Sequence, residues 1–141
     1  MITRSAMALF CEDIREEQSG VHTLIGIYPD NINVRRLPLM LSKFCIYVRV
    51  SIGVNEQVDK VQILTELPGQ APELVSTTEL EEIEEAKRVV ASKGSPTITM
   101  ISKIVATPFI VSTTGRLNVT VKMKRQEYLA AFININELPQ S

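Results

Sequence analysis

The residues best suited to chemistry in this chain are few and do not gather into a reactive set. The densest polar cluster is Glu12-Asp13-Ile14-Arg15-Glu16-Glu17. Neighbouring carboxylates can offer a hard cation several oxygen ligands, but this spacing matches no EF-hand loop. The simpler reading is a solvated connection in which Arg15 pairs with an acidic neighbour, or in which Asp13 and Arg15 fold back onto loop backbone groups. His22 is the sole histidine, so any Ser-His-Asp or Cys-His mechanism must run through it. It opens a strand after a turn, where a histidine is ordinarily a surface residue, and no Gly-x-Ser-x-Gly elbow supplies a nucleophile. One histidine and two distant cysteines, Cys11 and Cys45, lack the paired spacing of a structural zinc site. The cysteines sit in strands and are expected as reduced, packed thiols, with a disulfide bridging sheets as the alternative. The six glycines, at positions 20, 26, 53, 69, 94 and 115, trace no phosphate-binding loop. Gly26 and Gly53 fall inside strands, where glycine marks a bulge or a close backbone approach. No catalytic, cofactor-binding or metal-ligating residue is expected.

Two charged segments remain as candidate interaction sites. One is acidic: Glu79, Glu81, Glu82, Glu84 and Glu85. The other is basic: Arg116, Lys122, Lys124 and Arg125, of which the first three share one face of a strand by parity. Each is also consistent with a plain solvated surface, and edge lysines guard strands against aggregation. Acidic and basic segments on one small protein fit head-to-tail contact between copies.

The elements that position these groups follow from periodicity. Lys43 to Ile52 alternates, with Phe44, Ile46, Val48, Val50 and Ile52 on one side. Arg116 to Lys124 repeats the pattern. Such alternation gives antiparallel strands with one buried face. Further strands are read at Ser5–Cys11, Val21–Tyr28, Ile32–Arg35, Lys60–Leu67, Thr97–Ala106, Phe109–Val111 and Tyr128–Ile135. The low-charge stretch from Ala130 to Ile135 is a candidate for pairing with another chain. Pro72 marks a loop or an edge. Between Glu79 and Ala91 the period becomes helical, with Leu80, Ile83, Ala86 and Val90 near one face. Thr78 and Glu81 fit a capping box, Glu84 and Arg88 an i,i+4 pair, and Gly94 a C-terminal stop. Seven to nine strands and one helix predict an all-β, mainly antiparallel, immunoglobulin-like two-layer sandwich with one inserted α-helix. It forms a single domain over residues 1–141; a closed barrel is the alternative.

Composition narrows function. A net charge of -1 argues against a nucleic-acid partner. Aromatic residues make up 5% of the chain and tryptophan is absent, so stacking platforms for bases or sugars are scarce. No segment approaches the roughly 20 apolar residues of a membrane-spanning helix, and the apolar run Ala6 to Cys11 is too short for a secretory signal.

The opening half resembles an uncharacterised family of small bacterial and phage proteins. The residues that carry the likeness are Phe10-Cys11-Glu12-Asp13-Ile14-Arg15-Glu16-Glu17, then Gly20, then Leu24-Ile25-Gly26-Ile27-Tyr28. The Leu37-Pro38 step and the strand from Phe44 also fit, so residues 5 to 54 are well covered. The resemblance implies a compact β-rich domain of bacterial or phage origin and carries over no catalytic residue. The expectation is therefore a non-catalytic structural or interaction module, such as a phage virion or accessory component. It would act through a protein partner or as a homo-oligomer, without cofactor or membrane, in the cytoplasm or in a virion. A small-ligand or carbohydrate-binding module is the alternative.

Overall fold

The computed structural model describes residues 4–139. Their framework is an all-β two-layer sandwich with one inserted helix, built on the two alternating strands. β1 (Ser5–Glu16), β2 (His22–Ile27), β5 (Phe44–Gly53) and β8 (Thr97–Ala106) form sheet A in the order β2-β1-β5-β8. β3 (Asn31–Val34), β6 (Lys60–Glu66), β7 (Glu73–Glu79), β10 (Gly115–Met123) and β11 (Gln126–Glu137) form sheet B in the order β3-β11-β10-β6-β7. β4 (Leu39–Leu41) and β9 (Phe109–Val111) make a small two-stranded ribbon. All pairings are antiparallel except β3 with β11. The sheets keep separate edges, so the barrel alternative does not describe them.

The core lies where the period-2 patterns meet. Phe44, Ile46, Val48, Val50 and Ile52 of β5 are buried, as are Leu117, Val119, Val121 and Met123 of β10. Val61, Ile63, Ile133 and Ile135 complete the inner side of sheet B. Burying each such side chain contributes about 1.5–3 kcal/mol relative to leaving it exposed. At one end Phe44 stacks on Phe109 at 4.2 Å and lies 5.9 Å from Phe10 and 5.5 Å from Tyr28. The cluster ties β1, β5, β9 and the residue after β2 together. Three of the four phenylalanines are thus spent on the core. No polar or charged side chain is buried among the described residues.

Five local expectations need correction. The acidic segment from Glu12 is no connection: β1 runs through it to Glu16, because Cys11 to Glu16 pairs with Ile27 to His22. The stretch after Pro72 holds an entire strand, β7, paired with β6. Its sequence Glu-Leu-Val-Ser-Thr-Thr-Glu shows no apolar alternation, because an edge strand buries neither face fully. The eleven strands accordingly exceed the expected seven to nine. Part of the low-charge stretch is not open for a second chain: Asn134 and Ile135 are flanked by both β10 and β3.

The fifth correction concerns α1 (Leu80–Ala91). No capping box forms. Thr78 is still paired with Val61 in β7, and Glu79 at the N-cap makes no side-chain cap bond. The strand runs straight into the helix, which leaves no room for a separate cap. The C-terminus closes as expected: Gly94, at φ +70°, donates to Ala91 C=O and Ser95 donates to Val90 C=O. This is a Schellman closure, whose left-handed position glycine fills without strain. On the helix surface Arg88 pairs with Glu85 rather than Glu84, which is 3.7 Å from Lys87. Ile83 is fully buried, whereas Leu80 is 47% exposed. The helix thus crosses from the edge of sheet B to the edge of sheet A and is anchored in the core through Ile83.

Ile83→Ala is expected to cost about 2–4 kcal/mol of unfolding free energy, and Leu80→Ala under about 1 kcal/mol. Urea titrations of the two variants against the wild type check this difference.

Candidate functional site

The structure scatters the predicted basic residues and brings only some of them to the acidic helix. Arg116 and Lys122 both face outward from β10, six residues apart, or roughly 20 Å along a strand. The Arg116 guanidinium lies over the Phe132 ring at 3.9 Å. It borders a hollow of about 380 Å³ with Asn118, Glu66, Glu127 and Leu129. Lys122 reaches Glu127 at 4.0 Å. Lys124 is not on the strand with them: β10 ends at Met123, and Lys124 and Arg125 form the two-residue turn into β11. The polar stripe is therefore two separate cations on the sheet and a basic pair at its end.

That pair meets the acidic helix. Glu84 and Leu80 of α1 line a cleft of about 410 Å³ with Gln57, Val58, Asp59 and Lys124. Asp59 and Lys124 also border a neighbouring cleft of about 590 Å³, together with Arg4, Arg125 and Gln126. Arg4 binds Glu56 and donates to the Gln126 side-chain oxygen at 2.8 Å. Glu79, Glu81, Glu82 and Glu85 are exposed and do not line these clefts. One residue of each segment, Glu84 and Lys124, therefore lines the same cleft within one chain. Lys124 holds φ +54°, a left-handed conformation that costs a side-chain-bearing residue roughly 1–2 kcal/mol.

A second arrangement was only partly legible in the sequence. The distal half of the β1–β2 hairpin is an arm that folds across the outer side of sheet A. Glu16 lies 3.2 Å from Lys103 of β8, and His22 Nδ1 lies 3.0 Å from the Tyr47 hydroxyl of β5. Asp13 pairs with Lys43 and accepts from the Ile14 N–H at 2.9 Å. Arg15 lies 3.7 Å from Glu17. The acidic segment is thus neutralised by cations of its own fold. Among the described residues no three His, Cys, Asp or Glu side chains converge to hold a metal. Gly26 makes the arm possible: it has φ +66°, and a Cβ there would stand 2.5 Å from the Glu12 side chain.

Beneath the arm are the two cysteines, both fully buried and free. They lie opposite each other on adjacent strands of one sheet rather than on facing sheets. Cys45 Sγ donates to Glu12 C=O at 3.7 Å. Burial pushes the Cys11 thiol up to about 11, and it raises Cys45 as well, against the pull of Lys43. The hydrogen bond from Lys43 holds the Asp13 carboxyl below its usual range. The cue for the pair was two cysteines in neighbouring strands; only the register could place them face to face.

Residues 6–136 match a family of unknown function, DUF6941. The chain belongs to this family. No curated protein matches it. A chain from a solved structure described as "Structural basis of T cell specificity and activation by the bacterial superantigen toxic shock syndrome toxin-1" aligns over 96% of this chain and 99% of that one. Its TM-score is 0.41 and its identity 13%, too distant to carry any argument about this DUF6941 member. Among the described residues no helix is long and apolar enough to cross a membrane.

Two outcomes follow for this member. Lys124→Gly should raise stability by about 0.5–1 kcal/mol, read as a higher urea midpoint, because glycine adopts the turn conformation without strain. The raised thiols act in the opposite direction as pH increases. An unfolded thiol loses its proton near pH 8.5 while the folded Cys11 holds it to about 11. The unfolded chain then binds fewer protons, so this contribution is complete below about pH 8.5 and fades towards pH 11. Urea midpoints for wild type and Cys11→Ala should therefore converge as pH rises through that window.

Proposed function

We propose that this protein is a non-catalytic structural or interaction module that works by self-assembly or protein–protein contact. In bacteria or phage it would serve as a virion or accessory component, in the cytoplasm or in the virion. The observation that carries the reading is the set of apolar side chains that the arm leaves exposed on the outer surface of sheet A. Register places Met7, Arg49 and Ile101 in one transverse row, Leu9, Tyr47 and Lys103 in the next, and Ile27, Cys11, Cys45 and Val105 in the third. Met7, Ile101, Val105 and Ile27 are 42%, 41%, 51% and 51% exposed. Apolar side chains grouped over several strands of one outer face mark a contact surface more often than solvent-facing sheet. The only charges in these rows are the cations Arg49 and Lys103, and Lys103 already pairs with Glu16. β8 adds a ten-residue strand at the sheet edge, where backbone groups are open to a partner.

Two further observations support this reading over its rivals. Glu84 and Lys124 line one cleft of the same chain, so contact between copies need not rest on their complementary charges. The three tyrosines sit apart on different elements: Tyr28 against Phe44, Tyr47 against His22, and Tyr128 donating to Gln126. They offer no shared platform for a carbohydrate.

Light scattering after size exclusion, at low and high salt, tests the proposal. An oligomer that persists at high salt and dissociates in Ile101→Glu/Val105→Glu is the expected result. An oligomer that loosens with salt and ignores that double variant would move the contact to the charged segments. A monomer of 15.7 kDa at every concentration would overturn self-assembly and leave only contact with a different protein.

A further inference from the structure

We propose that Cys11 and Cys45 are a redox-sensitive pair: oxidised by a small-molecule disulfide of the glutathione class, they close a cross-strand disulfide at the root of the β1–β2 arm, whose opening admits the oxidant. Three observations carry this independently of the assembly reading. First, Cys11 and Cys45 are direct partners in the antiparallel β1–β5 ladder. Residues so placed point to the same side of the sheet, with Cα atoms roughly 4.5–5.5 Å apart. That separation lies inside the roughly 4.4–6.8 Å window of protein disulfides. They are also the only cysteines in the chain, so no third thiol competes.

Second, both cysteines belong by parity to the outer side of sheet A, opposite the buried Phe10, Phe44 and Ile46, and yet neither is exposed. The arm covers them, and the Glu12 carbonyl sits on the Cys45 thiol. Third, the arm is held by weak surface contacts: Asp13 with Lys43, Glu16 with Lys103, and His22 with Tyr47. Exposed pairs of this kind contribute little each, and segments so held open well below the cost of global unfolding. Closed, the arm keeps both thiols protonated and shielded. Open, it returns them to water, where a thiolate can form.

The chemistry is two thiol–disulfide exchanges. One cysteine thiolate attacks a sulfur of oxidised glutathione, forms a mixed disulfide and expels one glutathione thiolate. The second cysteine thiolate attacks the protein sulfur of that mixed disulfide and expels the other glutathione. The two protons end on the two released glutathione thiols. The two electrons pass from the cysteine pair to the glutathione disulfide.

The test uses the whole chain, folded by circular dichroism, incubated with oxidised glutathione at about pH 8 and quenched with acid. The expected product is intact protein lighter by two hydrogens, unreactive to maleimide until a reductant is added. Cys45→Ser should instead hold a lasting glutathione adduct on Cys11, and Cys11→Ser the mirror adduct, so one variant suffices if the other fails to fold. His22→Ala/Lys103→Ala, which loosens the arm without touching a cysteine, should oxidise several-fold faster. Two free thiols after prolonged exposure, or a stable mixed adduct on the wild type, would overturn the pairing. An unchanged rate in the arm variant would overturn the gating by the arm. Neither result bears on the molar mass that tests assembly.

Discussion

The structure depends on one constraint, the shared core that the inner sides of β5 and β10 enter from their separate sheets. Each strand presents only every second residue to that core, so it forms in one register alone. A slip by one residue would send Phe44, Ile46, Val48, Val50 and Ile52 to the outside. Because β5 is also central in sheet A, its position fixes β1 on one side and β8 on the other. β10 does the same for β6 and β11. The small ribbon, the aromatic cluster around Phe44 and the helix anchored by Ile83 then fill the open sides of these two layers.

Function in such a fold must come from surfaces the core does not use. The inner sides contain no buried polar or charged group among the described residues, so the polar groups of this chain lie towards its outer surfaces. What remains is distributed over three places. The clefts beside α1 bring charged residues of both signs to one end of the chain. The outer side of sheet A exposes Met7, Ile27, Ile101 and Val105 between its polar residues. The arm shields a thiol pair that a plain meander would have left in water. The last has a simple cause: β1 is twelve residues long, five of which continue past its ladder with β5 and must lie on something. They lie on sheet A, and the contact covers Cys45.

The sequence by itself determined the class of the fold and its core. Period-2 alternation names the buried residues of β5 and β10 one by one, because a pleated strand has only two sides. It also located the helix, since only a period near 3.6 places Ile83, Ala86 and Val90 together. The close approach at Gly26 was readable too, because glycine inside a strand leaves room for a neighbour. Tertiary structure alone decided what adjoins what. β7 carries no apolar alternation, so only its pairing with β6 makes it a strand. Lys124 had the parity of Arg116 and Lys122, yet the turn took it off the sheet to the cleft that Glu84 also lines. Cys11 and Cys45 stand 34 positions apart, and no local rule relates them. Register between distant strands is a global quantity, fixed by which hydrophobic faces close on each other, and so these sites emerge only when the sheets are assembled.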